Sequence, residues 1–178
     1  QNTGHYISRE LLLKDLELMR KHNINAIRTA HYPQPRFFYE LCDELGFYVY
    51  HEANIESHGM GYNLREGGTL GNNRDFYALH RDRIINMYER CKNYACVTIL
   101  SLGNEAGNGY NMYKAYEWIE EREKANPGMN RPIVYERALL EWNTDMYVPQ
   151  YPSADWFAKM GQEGCDRPVI PSEYSHAM

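Results

Sequence analysis

The sequence predicts an α/β fold: a (β/α)8 barrel, present as an incomplete barrel of about six parallel strands with intervening helices. Three observations predict it. Short apolar runs such as Val97-Thr98-Ile99-Leu100 alternate with segments of helical periodicity. The runs lack polar alternation, so both of their faces are covered, as in a parallel sheet. Polar and titratable residues follow the carboxyl end of nearly every run, where a barrel gathers its active site. A doubly wound sheet is the alternative, but no GxGxxG fingerprint follows the first run.

Residues 8–21 read as the first helix. Ser8 can cap it, Glu10 sits favourably in the first turn, and Leu12, Leu16 and Met19 share one face. Asn23 marks its end, and residues 24–31 follow as a strand closing on His31. Pro33 and Pro35 break that strand and open a second helix. This helix turns Phe38, Leu41, Cys42 and Leu45 inward and stops at Gly46. Phe47-Tyr48-Val49-Tyr50 is the next strand and runs into His51-Glu52-Ala53-Asn54. Residues 55–73, rich in Gly and Asn, read as a long functional loop. A helix over 74–92 places Leu79, Ile84, Met87 and Tyr88 inward, and the strand of 97–105 follows. Another helix covers 110–124 and is closed by Asn126-Pro127-Gly128. Short strands at 133–136 and 146–148, a helix around 153–161 and a strand over 168–173 complete the chain.

A full TIM barrel needs eight strands and about 250 residues. The expectation is therefore one partial barrel domain over residues 1–178, lacking the first and last strands. The opening Gln1-Asn2-Thr3, without Met or a basic and apolar leader, reads as a processed or excised piece. The net charge of −5 gives no support for binding nucleic acid or an acidic membrane. No apolar run approaches the ~18–20 residues of a membrane span. Cys42, Cys91, Cys96 and Cys165 form no CxxC pair and read as buried free thiols. The 16 tyrosines suit a sugar cleft and equally an ordinary core.

The chemistry sits at the strand ends. His31 follows the first visible strand; Glu52, Asn54, Glu56 and His58 follow the second; Asn104 and Glu105 follow the third. Tyr151 follows the fifth, and Glu173 and His176 the sixth. A barrel brings all of these to one rim. Several Glu, several His and an Asn suit glycoside hydrolysis, which needs one carboxylic acid to protonate the leaving oxygen and a second carboxylate as nucleophile or base. Burial can raise the pKa of a Glu such as Glu105 and fit it to donate a proton near neutral pH. The rival role for Glu105 is to cap the helix that follows. Glu56-Ser57-His58, with a further oxygen from Glu105, has the donors to hold Mg²⁺. Imidazole is a poor Mg²⁺ ligand, so water-mediated binding, Mn²⁺ and zinc stay open on spacing.

Four stretches carry a resemblance. Ser101-Leu102-Gly103-Asn104-Glu105-Ala106-Gly107-Asn108-Gly109 resembles the acid/base motif of glycoside hydrolase family 2. Glu52-Ala53-Asn54-Ile55-Glu56-Ser57-His58-Gly59 resembles the metal loop of its β-galactosidase branch. Arg28-Thr29-Ala30-His31-Tyr32-Pro33 and Ser172-Glu173-Tyr174-Ser175-His176-Ala177-Met178 are similar to two further motifs of that branch. The last of these and the -ESHG- loop favour it over the β-glucuronidase and β-mannosidase branches.

The resemblance implies a retaining hydrolase of terminal β-D-galactosides. Glu105 would be the acid/base and Glu173 the nucleophile, kept ionised by nearby donors. Asn104 would bind the sugar 2-hydroxyl, and His31 and His176 other galactose hydroxyls. Tyr151 would assist the departure of Glu173 as a proton donor. Glu56, His58 and Glu105 would surround Mg²⁺, while a Na⁺ site, where present, would come from residues outside this chain. The implied partners are the galactoside substrate and the other domains of a larger enzyme, with a homo-oligomer also compatible. The compartment stays open. Another sugar preference within the family, or a sugar-binding piece without turnover, are the competing readings.

Two departures from the family pattern stand out, Asn93-Tyr94-Ala95-Cys96 for Asn-His-Pro-Ser and Leu100 for Trp. Both lie in or before a strand, so they predict altered packing with the chemistry kept.

Overall fold

The computed structural model describes residues 4–61 and 68–175. Its centre is a parallel sheet of four strands in sequential order: β1 (Ala26–Arg28), β2 (Tyr48–Glu52), β3 (Val97–Ser101) and β4 (Ile133–Val134). Each crossover carries a helix: α2 (Arg36–Leu45), α3 (Tyr77–Cys91) and α4 (Tyr110–Ala125). Helix α1 (Arg9–Lys21) precedes the sheet, and α5 (Ala154–Glu163) follows it.

The caps explain the boundaries. The Ser8 hydroxyl accepts from the Leu11 N–H at 3.2 Å, and Asn23, in left-handed backbone, turns the chain after α1. Gly46 takes the left-handed conformation at the end of α2 that side chains resist. Helix α4 is capped from outside, because Asn72 Oδ1 accepts from the Tyr110 N–H at 3.0 Å. Glu105 is therefore not the cap of that helix.

Two sheet expectations are revised. The first strand spans three residues, because the Tyr32 N–H turns back to the Thr29 carbonyl at 3.0 Å and bends the chain away. The expected strands at 146–148 and 168–173 appear as two isolated parallel bridges, Tyr147↔Val169 and Gln150↔Glu173. Pro149, Pro168 and Pro171 fall in these segments and lack the N–H that a continuous ladder needs. Among the described residues, β1 pairs on one side only, so the sheet is open there.

Side chains alternate across the sheet, except at Thr98, where β3 holds one extra residue against Val49 and Tyr50 and the parity shifts. Ile27, Val49, Val97, Leu100 and Ile133 face the helices and join the main core with Leu16, Phe38, Tyr39, Ile84, Met87, Met112 and Ile119. In α3, Leu79 is exposed, contrary to the expected inward face, and His80 is buried in the same helix. The opposite face of the sheet carries a smaller cluster of Tyr50, Val134 and Val148 with Ile99, Met146 and Ile170. In the stretch before β3, Tyr94 stacks on Tyr39 at 5.3 Å, and the Cys96 N–H bonds Asp43 Oδ1 at 2.6 Å. Cys42, Cys91 and Cys96 are buried free thiols, whereas Cys165 is half-buried. No described helix is long and apolar enough to cross a membrane.

Candidate active site

The alternation that builds the core also builds the site. Arg28, Glu52 and Ser101 sit at the carboxyl ends of β1, β2 and β3 on the face opposite the helices, and Glu52 pairs in register with Ser101. Past Ser101, Gly103 has a φ of 146°, and a Cβ there would lie 2.7 Å from the Ile55 carbonyl, so only glycine lets the two loops touch. That approach lets the Asn104 N–H bond the Ile55 carbonyl at 2.8 Å and brings Glu56 opposite Asn104.

Glu105 follows in left-handed backbone, with a φ of 42°. Its N–H is held by Glu136 Oε1 at 2.5 Å. Its carboxylate meets His58 Nδ1 at 2.5 Å and Arg137 Nη2 at 3.0 Å. Glu136 is itself buried beside Arg137 Nε, at 2.9 Å. Burial drives its pKa up to about 8, against the pull of Arg137 and of the Glu105 N–H.

Glu173 lies in a different set of contacts. Arg28 Nη1 donates to its Oε1 at 2.8 Å, Gln150 Nε2 donates to the same oxygen at 3.2 Å, and the Tyr151 hydroxyl donates to Oε2. Burial opposes the charge on Glu173, but the bonds from Tyr151 and Arg28, with the field of His31, outweigh it and hold its pKa below the usual carboxylate range. The same bond pushes the Tyr151 hydroxyl up to about 12, which keeps it a donor. Arg28 and Gln150 thus join Tyr151, which the sequence already placed beside Glu173, as the donors around that carboxylate.

The two carboxylates are linked through protein. Arg137 Nη2 bridges Glu105 Oε1 and Gln150 Oε1, and the Gln150 amide reaches both Glu173 and Asn104 Oδ1. Arg28 Nη2 also bonds Asn104 Oδ1, at 2.8 Å. His31 Nδ1 meets Glu52 Oε1 at 3.0 Å; that bond raises the imidazole pKa, against partial burial and the nearby Arg28. A cleft of about 680 Å³ opens beside Glu105, with Arg137, Gln150, Tyr151 and Trp156 in its wall.

Of the residues singled out from sequence, His31, Asn104, Glu105, Tyr151 and Glu173 share this rim, and Glu56 and His58 adjoin it. His176 lies outside the described residues. Glu56 spends one oxygen on the His58 N–H at 2.6 Å and the other on the Asn104 amide. Thus the expected metal residues are neighbours, but their donor atoms are engaged with protein. Among the described residues, no group of three His, Cys, Asp or Glu is arranged to hold an ion.

The sequence points to no role for Arg28, Glu136, Arg137 or Gln150, and it places Glu52 at the rim without a specific task. The available signal was parity: Arg28 and Glu52 are charges at the inward positions of apolar strands.

The family model of the glycosyl hydrolases family 2 TIM barrel domain matches residues 1–178. The chain belongs to this family. Among curated relatives it is 40% identical over 191 residues to a β-galactosidase of Vibrio cholerae (classical Ogawa O395), covering 98% of this chain and 18% of that protein. It is 39% identical over 187 residues to the β-galactosidase of Pseudoalteromonas haloplanktis, covering 98% of this chain and 17% of the relative. The chain thus spans less than a fifth of the length of these relatives. Among solved structures, a Faecalibacterium prausnitzii β-glucuronidase superposes with a TM-score of 0.60 at 26% identity, over 94% of this chain and 32% of that one. A Bifidobacterium dentium β-glucuronidase complexed with coumarin-3-O-glucuronide gives 0.68 at 23% identity, over 94% and 30%, and bears on the fold alone. The open parallel sheet with its crossover helices is accordingly part of a family 2 TIM barrel.

Proposed function

We propose that this family 2 barrel carries the catalytic centre of a retaining β-galactosidase. The observation that carries the reading is the pair of carboxylates on one rim in opposite settings. Glu173 is held ionised by Arg28 and Tyr151, whereas Glu105 stands at the cleft beside Arg137 and His58. The sugar preference rests on the curated relatives, which are β-galactosidases.

In this mechanism a Glu173 oxygen attacks the anomeric carbon, the bond from that carbon to the leaving oxygen breaks, and Glu105 gives its proton to that oxygen. Water then attacks the anomeric carbon, Glu105 takes a proton from it, and Glu173 departs while Tyr151 donates to it. Asn104, fixed by Arg28 and Gln150, offers its amide to the 2-hydroxyl, and His31 and His176 bind other galactose hydroxyls. Glu56, His58 and Glu105 would hold Mg²⁺ once the contact between His58 and Glu105 opens. Their two carboxylates suit a hard cation, which would supply positive charge near the acid/base.

The test uses the full-length protein with aryl β-galactosides, glucuronides and mannosides. The galactoside is expected to be the substrate, with retention of anomeric configuration. Glu173→Gln should abolish turnover. Glu105→Gln should lose about 10²–10⁴-fold on poor leaving groups and far less on acidic phenols, which need no protonation. Calorimetric Mg²⁺ titration forms a second arm, with binding expected in wild type and weakened in Glu56→Gln. Inversion of configuration, or full activity in Glu173→Gln, overturns the mechanism; turnover of glucuronides alone overturns the sugar assignment.

A further inference from the structure

We infer that Glu52 is a positioning residue of this site: its buried carboxylate sets the Arg28 guanidinium, and Arg28 in turn sets the nucleophile and the sugar-binding amide. The inference rests on the functional reading above and adds a residue to which that mechanism gives no task.

Glu52 is fully buried, the last residue of β2, and surrounded on the inner face. Oε2 accepts from Arg28 Nε at 2.9 Å and from Ser101 Oγ at 3.0 Å. Oε1 accepts from Arg28 Nη2 at 3.1 Å and meets His31 Nδ1 at 3.0 Å. The carboxylate therefore grips Arg28 in the forked geometry that fixes both the position and the plane of a guanidinium.

The remaining donors of Arg28 are aimed by that grip. Nη1 reaches Glu173 at 2.8 Å, and Nη2 reaches Asn104 Oδ1 at 2.8 Å. One buried charge on β2 thus fixes a cation on β1, which touches residues at the end of β3 and 145 positions along the chain.

Fold stability alone does not account for this pair. Burying a carboxylate and a guanidinium carries a desolvation penalty, and an apolar pair of equal volume is commonly at least as stable. The pair's distinctive product is geometric, a guanidinium that cannot rotate away from Glu173. Misplacement of about 1 Å near reacting groups lowers rates by about 10²-fold.

The test is Glu52→Gln in the full-length protein, which keeps shape but removes the charge. Glu173 is faced by Arg28, Tyr151, Gln150 and, further off, His31. Loosening Arg28 removes one of the groups that favour its ionised form. The expected result is a kcat lowered about 10–100-fold with KM within about threefold, and an acid limb of the kcat profile moved to higher pH. A residue that only supported the fold would reduce the folded fraction and leave that limb in place.

Combining Glu52→Gln with Arg28→Lys should give strongly less than additive losses, because both act through one guanidinium. If Glu52→Gln does not fold, Glu52→Asp and Ser101→Ala carry the test, since each loosens the carboxylate without removing its charge. Each should lower kcat and move the limb in the same direction. An active wild type with folded Glu52 variants matching it in kcat and acid limb overturns this inference alone. A wild type without glycosidase activity overturns the functional reading and this inference together.

Discussion

Glu173 draws its low pKa from two donors that do different work, Tyr151 on Oε2 and Arg28 on Oε1. A depressed carboxylate is ionised above its folded pKa and loses the charge as the pH falls through it. Tyr151→Phe removes the hydroxyl donor, so the Glu173 pKa rises and the acid limb of the rate profile moves up. In the proposed mechanism it also removes the hydrogen bond offered to the departing carboxylate, so kcat should fall by about 10²-fold or more. Steady-state rates across the acid range check both; a limb that stays put would show that Arg28 alone holds the charge. The same residues show what a sequence can disclose about a site. Asn104, Glu105 and Tyr151 were legible because each ends a recognisable segment. Arg137 and Gln150 were not, because they gain meaning only when 105, 137, 150 and 173 meet, and no local pattern records that meeting.

At the level of elements, most helix ends were legible to within a residue or two, since caps are local, whereas α3 begins three residues later than expected, after a 3-10 turn at Arg74–Phe76. Ser8, Gly46 and Asn126 mark the ends of α1, α2 and α4 where expected. The last two strands were over-read, because apolar composition announces burial, whereas prolines decide whether a ladder forms. One consequence of burial within these elements is testable. His51 on β2 lies between the Tyr39 hydroxyl, at 3.1 Å, and the Met87 carbonyl, at 3.2 Å, and His80 is buried in α3. Burial lowers both imidazoles from 6.5 to about 4. Between those values the unfolded chain binds protons that the folded one refuses. Stability is therefore full above pH 6.5 and declines as the pH falls toward about 4, by up to roughly 3 kcal/mol per histidine. Urea unfolding across that range should show the decline, and His51→Gln should flatten part of it. An equal slope in the variant would assign the acid sensitivity elsewhere.

Across the whole molecule, the fold has two grades of construction, and the site spans both. Strands β2 and β3 are paired on both sides and lie against the main core, whereas the segments 147–150 and 169–173 are held by two bridges, a few backbone bonds and the smaller cluster. Those bonds are Tyr147 N–H to Pro168 O at 2.9 Å, Ile170 N–H to Tyr147 O at 3.0 Å, Ser172 N–H to Pro149 O at 3.2 Å and Tyr151 N–H to Glu173 O at 2.6 Å. Glu105 stands at the end of the firm part and Glu173 in the lighter one, with Arg28, Arg137 and Gln150 as the ties between them. Local opening draws on regions with few buried contacts and few ladder bonds. Amide hydrogen exchange of the full-length protein should therefore find Val49, His51 and Leu100 protected to near the global unfolding free energy. Ile170 and Ser172 should exchange earlier, through an opening that releases Glu173 from its partners. A substrate analogue that engages both carboxylates should slow exchange at Ile170 and Ser172 selectively, because it adds a tie across the same gap. Uniform protection across β3 and 169–173 without ligand would show that the Glu173 segment belongs to the same cooperative unit as the sheet.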